Sequence, residues 1–198
     1  MDDVIRKIFL ESIEAKEAFL KESSDRIVEA ASLIAEGFKV GAKLLIFGNG
    51  GSAADAQHIA GEFVNRFLIE RPPLPALALT TDTSVITSIG NDYDYKEIFS
   101  KQIKALGKEG DIVLAISTSG DSSNVIEAVK TAKNMEMKSI GLTGKHGGTL
   151  ATMVDIPMVV RSSSVPRIQE VHLTIAHTLC ELVDFILFHQ PTMGAVSD

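Results

Sequence analysis

The sequence predicts an α/β fold: a three-layer αβα sandwich around a five-stranded parallel sheet of order 2-1-3-4-5, with extra helices at the N-terminus. Two observations lead there. Five short, continuously apolar runs recur along the 198 residues, each separated from the next by a helix-length segment. Unbroken apolarity belongs to strands buried on both faces, and the intervening helices supply the crossovers. Two of the strand-to-helix turns are also crowded with glycine or hydroxyl residues. Such turns are expected where ligands bind, in the crevice beyond the carboxyl ends of neighbouring strands.

Residues 2–22 carry Ile5, Ile8, Phe9 and Ile13 at helical spacing, with Asp2 and Asp3 at the positive end of the helix dipole. Ser23, Ser24 and Asp25 are cap residues for a second helix that runs to about Lys39 and is broken by Gly41. The chain then alternates. Leu44–Phe47 is the first strand, followed by a helix from about Ser52 to Leu68. Pro72 and Pro73 punctuate the chain before the second strand, Ala76–Leu79. A short helix over Ser84–Ile89 is expected to end at Gly90, and Lys96–Leu106 reads as another. Ile112–Ile116 is the third strand, with a helix over Asn124–Asn134 after it. Ser139–Leu142 and Ile156–Val160 are the fourth and fifth strands, and Arg167–Phe188 is a long last helix. One domain spans 1–198: N-terminal helices over 2–40 and an α/β core over 43–190. The tail from Pro191 to Asp198 is expected to fray.

Composition narrows the function classes. Hydrophobic residues make up 45% and charged residues 23%, enough for one core and unlike a disordered chain. A net charge of −7 without a Lys/Arg block excludes a general nucleic-acid partner. An anionic ligand would need local donors, because the overall field opposes it. The single cysteine, Cys180, allows no intrachain disulfide and reads as a small apolar helix residue. No apolar signal core opens the chain, and no unbroken apolar run approaches the roughly 18 residues that span a bilayer. A cytoplasmic chain with no membrane partner is expected.

The first strand runs into Gly48-Asn49-Gly50-Gly51-Ser52, and the third into Ser117-Thr118-Ser119-Gly120-Asp121-Ser122-Ser123-Asn124. Glycines let the backbone turn sharply and approach a ligand, Ser52 can cap the next helix, and amides at a helix start suit an anion. In a 2-1-3-4-5 sheet both loops open into one crevice, so hydroxyls could hold a phosphate without a cationic clamp. Gly48, Gly50 and Ala53 also fit a dinucleotide-binding pattern, but the acid it needs is misplaced: Glu70 precedes the second strand and Asp82 lies too far along. No phosphate-loop lysine motif is present, which argues against a nucleoside triphosphatase.

These loops, together with His58 and Glu62, Gly90-Asn91-Asp92, Leu142-Thr143-Gly144 and Arg167-Ile168-Gln169-Glu170-Val171-His172, resemble the sugar isomerase (SIS) domain superfamily over almost the whole chain. Within it the chain is most similar to the phosphoheptose isomerases. That resemblance implies isomerisation of D-sedoheptulose 7-phosphate to D-glycero-D-manno-heptose 7-phosphate, the step that opens ADP-heptose and lipopolysaccharide core synthesis. It also implies a homotetramer with active sites at subunit interfaces. The alternative is a SIS-domain adaptor that binds the replication initiator DnaA. The adaptor lacks the glutamate and the last-helix histidine that this chain keeps as Glu62 and His177.

Aldose–ketose isomerisation moves one proton between C1 and C2 and another between their oxygens, which needs a base and an acid around a shielded enediol. His58 and Glu62 stand four apart and share a helix face. The resemblance implies Glu62 as base, His177 as acid, and His58, Glu62, Gln169 and His177 as the shell of one zinc. Gln169 and His177 lie about 12 Å apart along an ideal helix, which strains that shell. Substrate contacts are expected from Asn49, Gly50, Gly51, Ser52, Glu62, Asn91, Asp92, Ser117, Thr118, Ser119, Ser122 and Gln169. Pro166 stands where many relatives carry a polar or small residue, so no acid acts there. His172 reads as a core histidine.

Overall fold

Strand β1 (Leu44–Gly48) lies second from one edge of a five-stranded, all-parallel sheet in the computed structural model, which describes residues 1–189. The tail expected to fray lies outside the described residues. β1 pairs on one side with the edge strand β2 (Ala76–Ala78) and on the other with β3 (Ile112–Ser117). β4 (Lys138–Gly144) and β5 (Ile156–Val160) complete the order 2-1-3-4-5. Alternate side chains of one strand feed two cores, as a two-residue period requires. Leu44 and Ile46 enter one with Leu114 and Leu142, while Leu45 and Phe47 enter the other with Val113 and Ala115.

Helices α1 (Asp2–Lys39), α2 (Gly51–Val64) and α7 (Val165–Phe188) cover the first face. On the opposite face lie α4 (Ser100–Leu106), α5 (Ser123–Asn134) and α6 (Gly148–Met153), with α3 (Thr83–Asp92) beside them.

The two expected N-terminal helices meet within α1 at a kink at Ser23, whose backbone leaves the helical region at φ −143° and ψ 15°, where the cap residues Ser23–Asp25 stand. Beyond the kink, Ile27, Ala30, Ala31, Ile34 and Ala35 are buried on the sheet. Before it, the apolar stripe is open: Phe9 is 67% and Ile5 55% exposed. Other boundaries shift for local reasons. α3 runs through Gly90 to Asp92, started by Asp82, whose carboxylate accepts from the Val85 amide. The helix expected over 96–106 divides into a 3₁₀ turn at Tyr95–Glu97 and α4. α6, unread in the sequence, begins after Gly147 at φ 91°. Pro166 occupies the first turn of α7, where its missing N–H costs nothing. By length and composition alone α7 could cross a bilayer, although Arg167, Gln169, Glu170 and His172 interrupt it, in keeping with the absence of an unbroken apolar run. Ile168, Val171, Ile175, Ala176, Leu179 and Val183 bury its apolar stripe in the core instead.

Candidate active site

The carboxyl ends of β1 and β3 adjoin, with Gly48 in register with Ile116. From there each chain turns into a helix. Gly50, at φ 57° and ψ −120°, caps α2 and lets the chain turn two residues before the expected cap, Ser52. Ser52 is therefore a buried first-turn residue and not the cap. The two loops meet as expected. Asn49 Nδ2 donates to Asn124 Oδ1 at 2.9 Å, and Asn124 Nδ2 donates back to Asn49 Oδ1 at 2.8 Å. Asn124 also accepts from the Val125 amide, which fixes the plane of the pair.

The serines of the β3 loop form one cluster. Ser117 Oγ lies 3.0 Å from Ser122 Oγ and 3.4 Å from Ser119 Oγ, and it accepts from the Gly120 amide. Ser122 stands at the cap of α5 but spends its hydroxyl on Ser117. Thr118 makes no side-chain hydrogen bond among the described residues. Behind the cluster, Gly120 at φ 75° packs so closely that a Cβ would overlap the Gly147 carbonyl. Asp121 accepts from both the amide and the hydroxyl of Thr149, which hold its carboxyl below the usual range. The missed helix α6 thus braces the serine loop.

His58 and Glu62 lie one turn apart on α2 and face His177 on α7. The two imidazole Nε2 atoms are 2.9 Å apart, and Glu62 Oε1 lies 3.4 Å from His58 Nε2. One donor atom from each residue lies within 4.8 Å of the other two. Phe67 packs over the His177 ring at 5.4 Å between centroids. Two imidazoles and a carboxylate, drawn together from two helices, could hold a divalent metal ion. Ligand atoms about 2 Å from a tetrahedral ion stand a little over 3 Å from one another. The His58–Glu62 separation of 3.4 Å meets that spacing, and the His58–His177 separation of 2.9 Å needs only slight opening.

Other expected residues distribute unevenly. The Gln169 amide lies against Gly51, where a Cβ would overlap it, and so beside the start of α2. Asn91 and Asp92 sit exposed in the last turn of α3, and the Asn91 amide donates to the Asp92 carboxylate. No side-chain bond among the described residues carries either to the serine loop or the triad. His172 is a core residue as expected, with Nε2 2.9 Å from the Thr143 carbonyl.

Three nearby residues were not among the expected site residues. Asn124 closes the loop pair, and Tyr95 reaches Asn49 with its hydroxyl at 3.4 Å. Asp55, one turn before His58, keeps a buried carboxylate oxygen without a partner. Burial raises its carboxyl while the nearby His58 opposes the rise. Asp55 was legible: it precedes His58 by three and follows Gly51 by four, on the same helix face.

Comparison with known proteins agrees with this layout. A SIS-domain family model matches residues 9–144. The chain is 56% identical to the phosphoheptose isomerase of Thermodesulfovibrio yellowstonii over 191 residues, covering 96% of this chain and 95% of that one. Phosphoheptose isomerase of Aquifex aeolicus is 50% identical, with 93% and 96% covered. Among solved structures, phosphoheptose isomerase from Neisseria gonorrhoeae superposes with a TM-score of 0.88 at 45% identity, over 92% of this chain and 98% of that one. The enzyme from Francisella tularensis gives 0.89 at 45%, over 92% and 97%. None of these relatives bears the name of an adaptor.

Proposed function

Because the chain belongs to the SIS-domain family and, within it, to the phosphoheptose isomerases, we propose that it converts D-sedoheptulose 7-phosphate to D-glycero-D-manno-heptose 7-phosphate, the first step towards ADP-heptose. The observation that carries this reading is the convergence of Glu62 and His177 from facing helices, beside two loops joined through Asn49 and Asn124.

The phosphate binds to the hydroxyls of Ser52, Ser117, Thr118, Ser119 and Ser122 and to the amides of Gly50 and Gly51, at the positive end of α2. Asn49 and Gln169 orient the sugar from the loop side. Asn91 and Asp92 reach sugar hydroxyls only if their mutual bond opens. With the phosphate fixed, Glu62 removes the proton from C1 of the ketose as electrons shift to form the C1–C2 enediol, and then returns a proton to C2. His177 gives a proton to the C2 oxygen and receives one from the C1 oxygen, so the chemistry is balanced without water. Phe67 limits solvent at the His177 ring.

His58, Glu62 and His177 are the residues that would hold a zinc ion, with Gln169 as fourth donor if its amide turns away from Gly51. When bound, zinc supplies Lewis-acid polarisation of the substrate oxygens. Glu62 cannot be a tight ligand and a free base at once.

The open stripe before the α1 kink supports assembly: Val4, Ile5, Phe9 and Ile13 are all about half exposed or more. Four copies that share this face form the proposed homotetramer, with sites near the subunit boundaries. The deciding experiment is turnover of sedoheptulose 7-phosphate followed by NMR, with and without a chelator. A new heptose 7-phosphate aldose signal is expected, and its absence from active-site-intact protein would refute the reading.

A further inference from the structure

The structure assigns a positioning role to the buried pair Arg71–Asp184: it sets the distance between Glu62 and His177. Arg71 lies beyond α2 with its side chain 1% exposed, and Asp184 on α7 is 5% exposed. The guanidinium divides its donors between the two helices. Nε donates to Asp184 Oδ1 at 2.9 Å. Nη2 donates to the main-chain carbonyl of Glu62 itself at 2.9 Å, and Nη1 to that of Phe63 at 2.6 Å and Asn65 at 3.2 Å. These are the last-turn carbonyls that a helix leaves without partners. Arg71 therefore caps α2 through a side chain and grips the backbone of Glu62.

Asp184 follows His177 by seven residues, about two helical turns, and so shares its face of α7. One buried ion pair thus runs from the backbone of Glu62 to the helix face that carries His177. Cys180 lies between them. Burial pushes its thiol up to about 12, and the Glu62 and Asp184 carboxylates add to the rise while Arg71 opposes it. Stability alone does not account for the pair. Buried ion pairs are seldom better than apolar pairs of equal volume, and Asp184 Oδ2 is buried with no partner at all. What the pair supplies is geometry, since neither residue touches the serine loop or the triad's donor atoms.

The inference rests on the isomerase reading, and two readouts keep them distinguishable. Arg71→Lys keeps the charge and Asp184→Asn keeps the shape; each is compared with the wild type at 15 °C, below melting transitions measured for all three. The first readout is kinetic. A displacement of the order of 1 Å costs roughly 10- to 100-fold in turnover, so kcat should fall by that much while KM stays within about threefold. The second is ¹⁵N imidazole NMR of metal-free protein. The wild type should show one protonated and one bare Nε2 across the His58–His177 contact, and the variants should show both rings averaging between tautomers. Folded variants that keep wild-type kcat and wild-type imidazole signals would overturn the inference, as would kcat losses fully explained by unfolded protein. A wild type without isomerase activity would sink the isomerase reading, and the imidazole signals would still decide the tie.

Discussion

His172 offers a direct measure of how tightly α7 is locked to the sheet. Its ring is wholly buried, and Nε2–H donates to the Thr143 carbonyl on β4 while Nδ1 has no partner. Burial pushes the imidazole from 6.5 down to about 4, against a smaller upward pull from the Thr143 bond. The unfolded chain therefore binds more protons than the folded one between those values. Stability from this ring is complete above pH 6.5 and falls as the pH drops towards 4. At 1.36 kcal/mol per pH unit, the loss by pH 4.5 is about 2–3 kcal/mol. Urea unfolding of wild type and His172→Gln at pH 7.5, 6.5, 5.5 and 4.5 isolates the effect, because carboxylate titrations are common to both and cancel in the difference. The variant should start about 1–2 kcal/mol less stable, through the disturbed Thr143 bond. It should then lose about 2–3 kcal/mol less on acidification. Parallel stability curves for the two proteins would refute the claim that a neutral, buried His172 couples folding to pH.

Glu62→Gln and His177→Asn should each reduce turnover by about 10²–10⁴-fold with little change in phosphate affinity; joint loss of metal, with partial rescue by excess zinc, would mark them as ligands only. Ser119→Ala should weaken sugar-phosphate binding by about 1–2 kcal/mol in calorimetry, and unchanged affinity across alanine variants of Ser52, Ser117, Ser119 and Ser122 would remove the loops from the site. Replacing Ile5 and Phe9 by aspartate should shift light scattering from a tetramer to smaller species at micromolar concentration, and an unaltered mass would place the assembly face elsewhere.

The sheet was legible because its strands are apolar on both faces, which leaves few other structures for runs such as Leu44–Phe47 and Ile112–Ile116. The loop crevice was legible for a topological reason: in a 2-1-3-4-5 sheet the ends of the first and third strands must adjoin. The Asn49–Asn124 pair then required only that both amides sit at that junction. What sequence left open depended on contacts across the fold. α6 has only six residues, too short for a periodic apolar signal, and it is stabilised by Asp121, Thr149 and the close fit at Gly120. Arg71 reads as one of several charged residues beside a pair of prolines, and nothing local marks it as the cap of α2. The strain foreseen between Gln169 and His177 has a physical counterpart: Gln169 rests on Gly51, while His177 meets His58 and Glu62 farther along α7.

The proposed phosphate site in the β3 loop, built of hydroxyls instead of cations, bears on how a chain of charge −7 would hold a dianion. A Lys/Arg clamp gains from long-range attraction, which salt screens over about 8–10 Å. Ser117, Ser119 and Ser122 are neutral and already share hydrogen bonds, so their contribution is short-ranged and preorganised. The α2 terminus adds a partial charge that fades within one turn. Little of this attraction depends on ionic strength. The repulsion from the rest of the acidic surface does depend on it, and salt weakens that term. Sugar-phosphate affinity should therefore hold steady or rise slightly between low and physiological salt, the opposite of a cationic pocket. A steep loss of affinity over that range in a titration series would mean that cations, and not the serine cluster, carry the phosphate.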